Sequence, residues 1–549
     1  MRINQARIIF LLILAINLLW CSNANNSTSS EKSRLKILAI FPHMGKSHFF
    51  VFKPLIEELA RRGNELTVIS YFPRTEKNEH LPTYKDISLV NNESDVFVNV
   101  VDLKEFEQTI YIYKYFMNIY MLYNMNSIAC ENLRHPAVKE LGENGEKFDL
   151  VLIENFNTNC FMGLVHKLNV PFIDISTHQP MPWAIHNLRL HNEASFIPMV
   201  LTSIPKPMNL FHRTMNTLSF YVSTALYYTF FHWKDQSIVE EIYGPDIPNV
   251  ITINKNTSLF FINTHYTLQG GISYPPNTIE VGGIHIESKR KPLPRNIAKF
   301  LDEAHEGVLY FNLGSMIKMS TMPKNKLNIL IKVFRSIPRK VIWKWEQDDI
   351  PELPGNVMVQ KWLPQYDILN HPNVKCYFGH GGLLGLTEGV QSGVPMILMP
   401  FYGDQYSNVA AAQTRGVAII LEFNDFTEEK LRDAVDQIFN NTRYRENAKR
   451  LSKAFKDRPA SPLETAIWWV EYVARGNGLP YVRSEAVTMP WHERYLADVH
   501  AVLLLLSLLV LYAQYRVAKY AFACVLSRSG NVGGSGGKRR ASLLSKKRD

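Results

Sequence analysis

What the 549-residue chain lacks is net charge in its body. The formal charge is +10, yet Arg2 and Arg7 carry part of it, and from Arg516 onward nine Lys/Arg face Asp549 alone, leaving 49 basic and 49 acidic residues elsewhere. A neutral body has no electrostatic footprint for nucleic acid, so none is expected as a partner. Five cysteines are too few for a disulfide scaffold. Cys21 lies in the leader and Cys524 near the other end, so Cys130, Cys160 and Cys376 allow at most one bridge in the body. No Asp-x-Asp triplet and no His/Cys cluster at metal-ligand spacing occurs, so chemistry without a bound metal is expected. There is no internal repeat beyond two similar halves, and low complexity is confined to the tail segment GNVGGSGG. Residues 214–233 contain no Lys, Arg, Asp or Glu, but scattered Thr, Ser and Asn mark them as core helices or helices resting on a membrane. With the aromatic-rich stretch from Pro180, they form a candidate wall for an apolar substrate.

The two ends are different in kind. Residues 1–24 read as a signal peptide: Arg2 and Arg7, an apolar run, then small residues before a cleavage after Ala24. Residues 499–515 contain no charged Lys, Arg, Asp or Glu and form a transmembrane helix extending to about 518, with Arg516 and Lys519 able to snorkel. The basic tail, 519–549, follows it, which places the body in the lumen and the tail in the cytosol. Lys546 and Lys547 sit fourth and third from the end, like a dilysine endoplasmic-reticulum retrieval signal. A single-pass type I protein of that membrane is the expectation, with glycosylation acceptors at Asn25, Asn26, Asn92, Asn256 and Asn440.

Between the ends, short apolar runs alternate with helical patterns. Residues 35–41 predict a strand, Ser47 a helix cap with the helix reaching about Arg62, and 66–70 a second strand. The pattern repeats at 148–153, a helix from about Cys160, and 170–176. His43, His48, Glu154 and His178 all fall at strand carboxyl ends, where such sheets place ligands. The first half ends near 279–286, and residues 288–295 are charged and proline-bearing, as a linker is. A second block starts at 308–313 with a Gly314-Ser315-Met316 turn, continues through 341–345 and 357–362, and reaches the segment 373–405. There an apolar strand stops at Gly379-His380-Gly381-Gly382, a helix runs to Gln391, and a second strand spans 394–399. A glycine turn opening on a helix N-terminus is a phosphate cradle. Residues 461–474 form an amphipathic helix able to pack back on the first half.

His380-Gly381-Gly382, Glu388, Pro395, Pro400 and Asp404-Gln405, with Leu313-Gly314-Ser315 and Trp362-Leu363-Pro364-Gln365, resemble the signature of UDP-glycosyltransferases. The leader, span and tail resemble the animal microsomal branch, with wording close to invertebrate members. The resemblance implies an α/β protein of two Rossmann-like domains facing across a cleft, the GT-B fold. Residues 25–286 then take the acceptor and 287–480 the UDP-sugar, a co-substrate rather than a cofactor, with 481–498 juxtamembrane. It implies that Ser315, His380, Gly381 and Gly382 hold the diphosphate, Trp362 stacks the uracil with Gln365 assisting, Glu388 takes the ribose, and Asp404 and Gln405 take the sugar hydroxyls. It places the general base at His48, with His43 as runner-up, and the orienting carboxylate at Glu154, where the family has aspartate; Asp149 is the weaker alternative. Two positions depart from the pattern: Gly379 stands for the usual Thr or Ser, and Gly385 for Ser. The expected activity is inverting, metal-independent transfer of a hexose, glucose before glucuronic acid, to hydroxyls of small lipophilic acceptors in a detoxifying role. A non-catalytic relative that binds nucleotide sugar or lipophile is the alternative, and homo- or hetero-oligomers are admitted.

Overall fold

The computed structural model describes residues 34–532, apart from 76–80, 91–96, 108–110, 287–289 and 349–351. The leader, Asn25, Asn26, Asn92, linker residues 288 and 289, and residues 533–549 of the tail lie outside the described residues. Asn256 and Asn440 are both exposed. Two compact units are present, one ending at Ser484 and one beginning at Glu485.

In the first unit, the opening runs of apolar residues form a seven-stranded sheet. Its strands are β1 (Lys36–Phe41), β2 (Glu65–Ser70), β3 (Tyr84–Ser88), β5 (Leu150–Glu154), β6 (Phe172–Ser176), β7 (Leu259–Ile262) and β8 (Thr278–Glu280), in the order 3-2-1-5-6-7-8. Every pairing is parallel. Parallel strands are covered on both faces, which is why they read as continuous apolar runs. Within β1, Leu38 and Ile40 enter one core and Ile37, Ala39 and Phe41 the other. A second parallel sheet has the order 12-11-9-13-14-15: β9 (Val308–Asn312), β11 (Lys340–Lys344), β12 (Val357–Gln360), β13 (Val374–Gly379), β14 (Met396–Leu398) and β15 (Ala418–Ile420). Again one strand feeds two cores: Leu309 and Phe311 on one face of β9, Val308 and Tyr310 on the other. Two parallel, doubly covered sheets are the GT-B arrangement.

Several segments cross between the halves, among them Tyr266–Gln269, whose Leu268 is buried in the second half's core and accepts from Arg415 Nε at 3.1 Å through its carbonyl. Residues Val101–Asp102 (β4) pair in parallel with Ile317–Lys318 (β10), and Leu103 is fully buried in the second half's core. In return, the helix Pro462–Arg475 lays Ala466, Ile467, Val470 and Val473 into the first half's core, as its amphipathic pattern predicts.

Several boundaries shift from the sequence reading. The first helix, α1 (Lys46–Arg61), starts after Gly45 with no side-chain cap, so Ser47 lies inside it rather than capping it. Residues 214–233 are part of a helix α2 (Leu210–Leu226), a π turn Tyr227–His232, and a helix α3 (Trp233–Tyr243). Of α2, Asn216, Phe220, Ser223 and Thr224 are buried while Leu210, Phe211, Leu218 and Tyr221 are exposed. Cys130 and Cys160 form a buried disulfide, and Cys376 stays free. In the second unit, one helix, Ala497–Val532, contains a stretch, Ala497–Ser527, long and apolar enough to cross a membrane.

Candidate active site

Both sheets reverse their winding at one point, and the candidate residues collect there. In the first sheet β1 lies between β2 and β5, so the carboxyl ends of β1 and β5 open a crevice. His43 follows β1, His48 sits in the first turn of α1, and Glu154 is the last residue of β5. The sheet thereby brings together residues more than a hundred positions apart: His48 Nδ1 lies 2.5 Å from Glu154 Oε1. Thr177 Oγ1 is 3.3 Å from the same Nδ1. With Nδ1 held by the carboxylate, Nε2 is left as the free acceptor.

The rings around this pair are tightly arranged. His43 stacks on His48 with centroids 3.7 Å apart. Its Nδ1 accepts the Gly45 N–H at 2.8 Å, and a Cβ at Gly45 would fall 2.7 Å from the His43 ring. His43 is 3% exposed with Nε2 sealed from solvent, so the runner-up supports the ring of His48 and is shut off from a substrate. His178 donates from Nδ1 to the Gln179 carbonyl at 2.5 Å, and Phe156 packs against all three imidazoles. Asp149 is remote in role: its Oδ2 accepts the Lys36 N–H at 2.7 Å at the opposite end of the strands. Burial lowers His48 to about 3, assisted by His178, and burial raises Glu154 to about 7. A neutral imidazole next to a buried carboxyl is the resting state a general base needs.

One residue past His178 a small, partly open pocket begins, lined by Gln179, Ile185, Met199, Val200, Phe220 and Tyr274 among others. Its wall is built from the aromatic-rich stretch after Pro180 and from α2.

In the second sheet the reversal lies between β9 and β13. Gly314 and Ser315 follow β9, and His380-Gly381-Gly382 follow β13 and lead into the helix α4 (Leu383–Ser392). Gly381 has φ +80°, and a Cβ there would sit 2.3 Å from Val409. The His380 ring is wedged between two other glycines: added Cβ atoms would lie 2.5 Å from it at Gly314 and 2.3 Å at Gly382. Burial, then Lys344, lowers His380 to about 4, so it is a neutral hydrogen-bond donor, and its Nδ1 has no partner among the described residues. Lys344 Nζ bonds the Gly314 carbonyl at 2.5 Å, bringing a cation to the turn that the sequence reading missed.

Gln365 and Glu388 are joined, Nε2 to Oε2, at 2.6 Å. Gln365 Oε1 accepts from Asn312 at 2.7 Å and from the Tyr310 hydroxyl at 3.1 Å, so the pair is oriented by β9. Burial raises Glu388 to about 7. Trp362 is 70% exposed, a bare indole face at the edge of the site. Gln405 uses Oε1 to accept the Phe401 N–H at 2.8 Å, and Asp404 accepts from Asn408 at 2.8 Å. The two halves meet electrostatically here: burial raises the Asp404 carboxyl, and His178 of the first sheet lowers it. Ser315 offers its carbonyl to the Asn99 N–H at 2.8 Å and leaves its hydroxyl unengaged among the described residues.

Among the described residues, the one cluster at metal-ligand separation is Cys130, Cys160 and Asp235, and its two thiols are consumed by the disulfide.

Known proteins match this chain along most of its length. The family model described as UDP-glucoronosyl and UDP-glucosyl transferase matches residues 36–532. UDP-glycosyltransferase UGT5 from Dactylopius coccus is 34% identical over 509 residues, covering 90% of this chain and 94% of the relative. UDP-glucosyltransferase 2 from the same organism is 34% identical over 496 residues, covering 90% and 93%. UDP-glucuronosyltransferase 1A3 from Homo sapiens is 30% identical over 500 residues, covering 88% and 91%. Among solved structures, the spinosyn forosaminyltransferase SpnP superposes with a TM-score of 0.51 at 14% identity, over 80% of this chain and 100% of that one. That likeness speaks for the fold alone. Matched along nearly its whole described length, the chain belongs to the UDP-glucoronosyl and UDP-glucosyl transferase family, hexosyltransferases that take their sugar from a UDP donor.

Proposed function

We propose that the protein transfers glucose from UDP-glucose to a hydroxyl of a small lipophilic acceptor, with inversion and without a metal. The observation that carries this reading is the 2.5 Å pair of His48 and Glu154 where the carboxyl ends of β1 and β5 open a crevice. The acceptor lies in the crevice with its hydroxyl at His48 Nε2. That nitrogen takes the proton as the oxygen attacks the anomeric carbon, and Glu154 steadies the imidazolium. The bond from the anomeric carbon to the β-phosphate oxygen breaks on the opposite face, and UDP departs with the electron pair. His380 and the turn N–H groups of Gly381 and Gly382 receive the growing negative charge, and Ser315 adds a hydroxyl. Trp362 stacks on the uracil, Gln365 and Glu388 take the ribose, and Asp404 and Gln405 hold the sugar hydroxyls. Glucose is preferred over glucuronic acid because the relatives at 34% identity include one named a glucosyltransferase.

The compartment follows from the same reading. A disulfide in the body suits an oxidising lumen, and the C-terminal apolar helix with its basic tail suits a type I anchor in the endoplasmic reticulum.

The test is transfer of labelled sugar from UDP-glucose and UDP-glucuronate to a panel of phenols in microsomes, for wild type and His48→Ala. Wild type is expected to prefer UDP-glucose, and the variant to lose about a thousandfold or more in rate. Transfer by His48→Ala at the wild-type rate would remove the base, and UDP binding without transfer by wild type would make the protein a carrier.

A further inference from the structure

Gly379 ends β13 and Gly385 lies in the first turn of α4. Neither has a positive φ, so neither glycine is required by its backbone. Both are required by one side chain. A Cβ at Gly379 would fall 2.5 Å from Tyr377 Oη, and a Cβ at Gly385 would fall 2.5 Å from the same atom and 3.0 Å from Gln365 Nε2. The tip of one tyrosine, its hydroxyl and the ring carbon that bears it, therefore fills the volume of two missing side chains, at the two positions where the family pattern has small hydroxyl residues.

The ring is fixed. Tyr377 pairs in register with Tyr310, stacks on it at 5.6 Å and 25°, and is 1% exposed. The two hydroxyls then differ. Tyr310 donates to Gln365 Oε1 at 3.1 Å, whereas Tyr377 Oη makes no hydrogen bond to any described residue. It stands beside Gln365 and within electrostatic reach of Glu388, the two residues assigned to the ribose. A rigidly held hydroxyl with no protein partner, placed among ligand-binding groups, has its partner in the ligand.

We infer that Tyr377 is a donor-binding residue whose hydroxyl bonds the ribose–diphosphate portion of the nucleotide, in place of side-chain hydroxyls at 379 and 385. The inference rests on the reading that the His380 turn holds the UDP donor. Within that reading, the glycines at 379 and 385 leave no gap in the donor site, because the tyrosine exchanges two short hydroxyl residues for one long one.

The experiment is titration calorimetry of UDP with the detergent-solubilised full chain, with initial rates and thermal midpoints alongside. Tyr377→Phe is expected to weaken UDP about three- to thirtyfold and raise the donor KM equally, while the acceptor KM and thermal midpoint hold. Gly385→Ser alone drives its Cβ against Oη and weakens UDP further. In Tyr377→Phe with Gly385→Ser the new Cβ loses the 2.5 Å clash with Oη and faces Cζ at 3.4 Å, the end of the Gln365 side chain at 3.0 Å yields by a few tenths of an ångström, and the serine returns a hydroxyl. That pair is expected to bind UDP more tightly than either single variant. Tyr377→Phe within twofold of wild type, or a double variant no tighter than Tyr377→Phe, would overturn the assignment. A wild type that binds no UDP would instead overturn the donor-site reading beneath it.

Discussion

At the scale of single residues, the decisive chemistry is one proton. His48 and Glu154 work when the carboxyl is ionised and Nδ1–H points to it, leaving Nε2 open. If the pair takes up a further proton, Nε2 becomes occupied whichever group formally holds the charge. Burial raises Glu154 to about 7, so kcat/KM should show an acid limb near pH 7, with activity lost as pH falls through it. Glu154→Gln keeps the shape but removes the anion. It should cost at least about a hundredfold in rate and erase that limb, which a pH–rate profile between 5 and 9 would reveal. Asp174 is a structural counterpart. Its Oδ2 accepts from Asn155 at 3.0 Å and Asn254 at 2.8 Å, and burial raises its carboxyl to about 7. An acid raised on folding contributes stability below its unfolded value near 4, and loses it as pH rises toward 7. Asp174→Asn supplies the neutral shape at every pH. It should therefore gain roughly 1–3 kcal/mol relative to wild type between pH 5 and pH 8, read as the change in difference between thermal midpoints. Residues of the site were legible only as strand-end positions with a familiar signature. Thr177 and Tyr377 were missed because each looks like a β-sheet residue until the sheet assigns it a neighbour.

At the scale of elements, the strands were the easiest part to read, since buried parallel strands are plain apolar runs. The helix start at Gly45 was harder: Ser47 has the right chemistry for a cap, but the His43 ring claims the turn and Gly45 must lie beside it. The β4–β10 crossing was illegible, because its partners are more than two hundred residues apart and nothing local marks them. The three body cysteines were equally silent about pairing until helix Tyr111–Glu131 brought Cys130 to the turn Asn159–Phe161. That bridge braces the loop leaving Glu154, where Thr158 Oγ1 also bonds the Glu154 carbonyl at 2.8 Å. Closing a loop over a separation of 30 residues is worth roughly 3–4 kcal/mol in the chain-entropy account. Replacing both cysteines with alanine should lower the thermal midpoint by several degrees and depress acceptor turnover more than UDP affinity. Equal losses at both substrates would show that the bridge serves the whole body rather than the base.

At the scale of the whole molecule, the two halves are not independent beads, because each completes the other. Segment 99–103 lends a strand and Leu103 to the second half, and helix Pro462–Arg475 closes one face of the first. Ile467, Val470 and Val473 are at most 1% exposed, and burying three such side chains is worth roughly 5–9 kcal/mol as an upper bound. That is comparable with the entire stability of a typical domain. A chain ended after Ser484 keeps this helix and loses only the second unit, so it should unfold cooperatively and still bind UDP. One ended after Arg458 keeps every strand and every assigned site residue, yet strips the first sheet of its cover. It should lose the acceptor half first, showing proteolysis within residues 34–286 while residues 308–456 stay protected. If the shorter chain were as resistant as the longer one, the return helix would be an ornament on the first half, and the cleft between the sheets would owe its fixed geometry to the β4–β10 crossing and to Leu268 in the second half's core.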